Sequence, residues 1–203
     1  MSQPMEAACY LDIKIKRSPK ITFRFDPFTD RLSRDIRNCL STEFVRSLNL
    51  KRPELYRNAG HELLKKNLAS IYRDYIHRRL QRYDSVFEQI EKHQTRIIDS
   101  VLTAIVIWNY RLFFEVHEQL EGIWHQSRGE QRQALGGLIK AAGAYIHMEQ
   151  GHQQAASRLA SKSYELLTRH RDFFSTIGNL NDLLDKLKAV DPDPPRLYSI
   201  LDQ

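Results

Sequence analysis

Glycine and proline are scarce in this chain, at 8 and 7 of 203 residues, so the commonest helix breakers are missing from long stretches of it. Apolar runs are short as well. The longest, Val101–Trp108, contains Thr103 and falls far below the roughly 18 to 20 residues that a membrane-crossing helix needs. The opening residues, MSQPMEAACY, lack the basic-then-apolar order of a signal peptide, which makes the cytoplasm the expected location. Cysteine is limited to Cys9 and Cys39, which have no metal-ligand spacing and, in a reducing cytosol, read as free thiols. Phosphate-binding glycine loops, a nucleophile elbow and a Cys–His catalytic spacing are all missing, as are tandem repeats and low-complexity stretches. Nothing in these patterns identifies a hydrolase or a transferase.

What remains is ordinary soluble composition, with 41% hydrophobic and 28% charged residues, and enough chain for one large or two small domains. The net charge of +6 is uneven. Residues 1–100 carry 20 Lys+Arg against 13 Asp+Glu, whereas residues 101–203 carry 11 against 12. The basic character therefore belongs to the N-terminal half.

The periodicity predicts a mainly α fold, a helical bundle, with one short β-hairpin. Residues 10–25, YLDIKIKRSPKITFRF, alternate apolar and polar on either side of Arg17-Ser18-Pro19-Lys20, which gives the hairpin. From Asp30, a capping residue, Leu32, Ile36, Leu40, Phe44 and Leu48 recur at helical spacing until Lys51-Arg52-Pro53. Residues 54–93 make one long helix or two in succession, and 96–108 another. Ser127-x-x-Glu130 reads as a capping box, Gly151 as a helix end, and a further helix carries Ala156, Leu159, Ala160, Ser163, Leu166 and Leu167 on one side. A helix at 179–189 stops at Asp191-Pro192-Asp193-Pro194-Pro195, and Leu197, Tyr198 and Leu201 form a docking tail. The expected domains are a basic N-terminal extension over 1–95, a bundle over 96–190 and a Pro-rich tail over 191–203.

Leu112–Trp124, LFFEVHEQLEGIW, stands out within the bundle. At about 100° per residue, Phe113, Val116, Leu120, Ile123 and Trp124 share one stripe, with His117 inside it and Glu121 at its edge. Burying ionisable groups is costly unless they are paired or coordinated, so His117 and Glu121 need partners. Glu115 and Glu118 point away from the stripe and read as solvated. Ala134–His147 supplies a neighbour helix, whose Gly136, Gly143 and His147 line one flank and bring His147 towards His117 and Glu121.

His117-x-x-x-Glu121-x-x-Trp124, preceded by Phe113-Phe114-Glu115 and followed by Gly137-Leu138-Ile139, Tyr145-x-His147 and Gly151, resembles the family called domain of unknown function 309. The resemblance spans roughly residues 108–167. It implies a compact all-helical bundle whose shared His and Glu line an internal site, and it implies no reaction. Asn109 matches the family's Asn and suits an N-cap. Arg111 stands in place of a usual Gly, Lys140 of Gln, His152 commonly of Asn, and Ala155 often of Gly.

Four readings of function stay open. The cluster His117, Glu121, Trp124 and His147 closes as a structural polar network, holds a divalent metal, or has a metal-free catalytic or ligand-binding role. In the second case His117, Glu121 and His147 are the ligands, His152 or Glu118 an additional one, and zinc, manganese or iron the ion. Arg132 either takes an anionic ligand or pairs with Glu130 or Glu121. In the fourth reading Arg73, His77, Arg78, Arg79 and Arg82, interleaved with Tyr72, Tyr75 and Tyr83, meet nucleic acid, although Asp74 and Asp84 dilute the patch. A protein partner for this basic half and a homo-oligomer are both compatible with the sequence, and no membrane partner is expected.

Overall fold

A computed structural model describes residues 9–11, 13, 24–92 and 100–199. Two compact units divide the chain, Met1–Phe87 and Glu88–Gln203.

In the first unit α1 (Arg31–Leu50) starts where Asp30 accepts hydrogen bonds from the backbone N–H groups of Leu32 and Ser33, and it ends at Lys51 in the left-handed conformation. α2 (Glu54–Leu64) and α3 (Ser70–Lys92) are separate helices, although neither glycine nor proline lies between them. The core is aromatic. Phe44 of α1 stacks on Tyr83 at 4.0 Å and meets Tyr56 and Phe87 edge-on at 5.9 and 6.1 Å. Each of these large side chains contributes roughly 2 to 3 kcal/mol by leaving water.

The N-terminal segment departs from expectation at its cysteines. Cys9–Leu11 is a single 3-10 turn, and residues 12 and 14–23, where most of the hairpin was expected, lie outside the described residues. Cys9 and Cys39 are not free thiols: the turn lies against α1 and they form a disulfide, with Cα atoms 5.4 Å apart. The Lys66 ammonium donates to the carbonyls of Tyr10 and Ile13 at 2.6 and 2.7 Å, fixing the same segment.

The second unit is built from α4 (Ser100–Asn109), α5 (Phe113–Gln126), α6 (Gly129–Glu149), α7 (Gln153–Arg169) and α8 (Leu180–Ala189). Short connections make α5, α6 and α7 successive antiparallel neighbours. Their joints are not all as expected. Ser127 does not open α6 with a capping box; its hydroxyl donates to the Ile123 carbonyl at the end of α5, and Arg128 occupies the cap position of α6. Asn109 ends α4 instead of capping α5. Its amide donates to the Leu197 carbonyl and accepts from the Leu197 N–H, so its hydrogen-bonding capacity goes to the C-terminal segment. The indole N–H of Trp108 donates to the Pro195 carbonyl at 2.9 Å. A two-residue ribbon, β1 (Ile177–Gly178) antiparallel to β2 (Tyr198–Ser199), completes that attachment. Among the described residues no helix is long and apolar enough to cross a membrane.

Candidate metal centre

α5 is held from both sides by aromatic packing. Phe113 stacks on Tyr145 of α6 at 5.1 Å and meets Trp108 of α4 edge-on at 5.0 Å. With partners on two sides, the buried arc of α5 is broad. Phe113, Val116 and Leu120 are fully buried, and the arc continues through Gln119 to Glu115, whose side chain is also fully enclosed. The apolar stripe therefore marks one side of the buried face and not its middle. His117, Glu121 and Trp124 fall on its shoulder, about 20 to 80° beyond Phe113.

This placement corrects the expectation of an internal site. The side chains of His117, Glu118 and Glu121 are 33%, 31% and 42% exposed, and Glu118 belongs with His117 while Glu115 is the buried carboxylate. His117 Nδ1 lies 3.6 Å from Glu118 Oε1 and 3.9 Å from Glu121 Oε2. Although the ring is partly exposed, the Nδ1 atom itself is buried and has no hydrogen-bond partner among the described residues. One ligand atom from each of the three residues falls within 4.8 Å of the other two. His125, which the sequence reading passed over, approaches the other oxygen of Glu121 at 3.6 Å; the signal was its Glu–His spacing of four residues.

His147 does not join this group. Tyr145 is level with Phe113 at the start of α5, so His147 lies beyond it, while His117 sits four residues, about 6 Å, in the opposite direction. The imidazole of His147 faces His152 instead, Nδ1 to Nδ1 at 3.4 Å. Burial first, then His152 and Arg158, lowers its pKa below the ordinary histidine value.

Trp124 and Arg132 form a separate contact. The guanidinium lies 3.6 Å above the indole and donates to the Trp124 carbonyl, so Arg132 stacks where an ion pair with Glu130 or Glu121 had been one option. Gly136 admits the indole edge: a Cβ there would lie 3.4 Å from Trp124 Nε1. Lys140 folds back over the same glycine, and burial, followed by Lys162, lowers its pKa.

On α3 the tyrosines expected at a nucleic-acid surface point elsewhere. Tyr72 and Tyr83 are buried, and Tyr75 stacks on Phe25 at 3.6 Å. Arg73, His77 and Arg78 are exposed, Arg82 is half-exposed, and Arg79 lies over the Tyr75 ring. Among the described residues of α3, cations are present without a stacking platform for bases.

No curated protein and no solved structure matches the chain. The sequence model of the domain of unknown function DUF309 matches residues 101–159, the stretch that builds α4, α5, α6 and the start of α7. Over that segment, which includes the helix carrying His117, Glu118 and Glu121, the chain is similar to the domain of unknown function 309 family.

Proposed function

We propose that the second unit is a divalent-cation-binding helical domain in which His117, Glu118 and Glu121 hold the ion on the shoulder of α5. The observation that carries this reading is the buried Nδ1 of His117, which faces two carboxylate oxygens at 3.6 and 3.9 Å and bonds to neither. A closed polar network would draw these atoms to about 2.9 Å. Two donors on one ion stand about 3.0 to 3.4 Å apart, so a small rotation of either glutamate converts the present spacing into a coordination shell. One imidazole with two carboxylates suits manganese or iron better than a thiolate-loving metal, and zinc remains chemically compatible. All three donors come from one helix and are partly exposed, so water fills the other positions and the ion exchanges readily. The chemistry such a site supplies is Lewis-acid polarisation of a bound oxygen, or a charge that organises an anionic partner.

The test is a Mn²⁺ titration of protein purified without an affinity tag or chelator, with the free ion read by electron paramagnetic resonance. One equivalent is expected to bind. His117→Ala and Glu121→Gln should each weaken that binding at least about tenfold, the effect of losing one arm of a chelate. Binding left unchanged by both substitutions overturns the reading.

A further inference from the structure

A second set of donor atoms lies at the corner between α6 and α7, and backbone geometry holds it in place. The end of α6 is a Schellman motif: the N–H of His152 bonds to the carbonyl of His147 at 2.9 Å, the N–H of Gly151 bonds to that of Met148 at 3.0 Å, and Gly151 has φ 73°. That motif brings together the side chains of the two residues joined by the bond that spans more of the chain, His147 and His152. In most helices the contact is between apolar groups. Here both positions carry imidazole, and their Nδ1 atoms meet at 3.4 Å.

We propose that His147 and His152 form a two-imidazole chelate for a late first-row divalent ion such as Zn²⁺, separate from the His117 site. Two nitrogens bound to one zinc at about 2.05 Å with a tetrahedral angle stand about 3.4 Å apart, the separation found here. The ring centroids are 5.6 Å apart, so the nitrogens approach nearly head-on, and a tilt of about 35° per ring turns both lone pairs onto one ion. The unloaded pair shares one Nδ1 proton. Binding moves that proton to Nε2 of the same ring, leaving both imidazoles neutral with their Nδ1 lone pairs turned to the ion. The last turn of α6 presents its carbonyl ends here, which favours a cation. The Arg158 guanidinium, near enough to affect His147, opposes it and sets an upper bound on affinity.

The measurement is Zn²⁺ binding by competition with a chromophoric chelator, using the tag-free full chain in a His117→Ala background so that the α5 site is already disabled. One equivalent is expected. Adding His152→Asn, at a half-buried position outside the helices, should weaken it at least about tenfold. Adding Arg158→Ala should tighten it. Zinc binding that is absent in the His117→Ala chain, or indifferent to His152→Asn, overturns the proposal. Neither result bears on Mn²⁺ binding at the α5 site, because that titration reads different residues.

Discussion

His147 stays neutral to lower pH than a histidine in water, chiefly because it is half-buried and then because His152 and Arg158 oppose a further positive charge. As pH falls through about 6.5 the unfolded chain takes up a proton there while the folded chain does not. Stability is therefore lost from about pH 6.5 downward, until the lowered folded pKa is reached. His147→Gln removes this contribution, so urea midpoints measured at pH 7.5 and 5.5 should differ less in the variant than in the parent. A larger or equal difference would show that the imidazole is not held neutral. Asp30 behaves in the same sense at more acid pH. Burial pushes its carboxyl up, but hydrogen bonds from Ser33, Tyr72 and Leu32 outweigh that and hold the pKa below the usual carboxylate value. Its contribution is complete above about pH 4 and fades as pH drops through the lowered value. Single residues were legible where a local rule governs them, as at Asp30. They were misplaced where the neighbours decide: Glu115 looks solvated on a helical wheel because the wheel does not contain α4 and Tyr145.

Between elements, the closest joint is the one between α6 and α7. Ser163 donates to the carbonyl of Gly137 at 2.8 Å, and a Cβ on Gly137 would meet Leu167 Cδ2 at 3.0 Å and Leu166 Cβ at 3.2 Å. Gly137→Ala gains helix propensity of about 1 kcal/mol but forces an overpacking cost of about 1 to 3 kcal/mol. A net fall in Tm is expected, where Gly122→Ala, with open space around it, should raise stability. The disulfide is the other tie between segments. Joining residues 30 apart restricts the unfolded chain by roughly 3 to 4 kcal/mol, so Cys39→Ser should lower the thermal stability of the first unit, and reduction of the parent should have the same effect. Most helices were visible in the sequence because apolar spacing at 3.6 residues is a local signal, and the ends at Lys51 and Gly151 followed from cap chemistry. The disulfide was not visible. Two cysteines far apart carry no pairing signal until a turn brings one of them onto α1.

Over the whole molecule, both tryptophans, Trp108 and Trp124, fall in the second unit, so indole fluorescence reports that core alone. Phe44→Ala cuts the aromatic centre of the first unit, at a cost of about 3 to 5 kcal/mol. The far-UV circular dichroism transition is expected to shift to lower urea while the tryptophan transition moves less; coincident shifts would mean that the two units unfold as one. The mainly helical class was legible at this scale. The centre was legible only as a set of residue types, since Glu118 and Glu121 with His117 share a shoulder of α5 for reasons that depend on how deeply the helix is enclosed. The bonds from Trp108 and Asn109 to Pro195 and Leu197 have a practical consequence. The stretch around residue 195 is a poor place to cut or to graft a purification handle, because removing it strands an enclosed indole N–H and both ends of an amide. Engineering at that end should leave residues 195–199 intact, since the ribbon with Ile177 and Gly178 runs through Ser199.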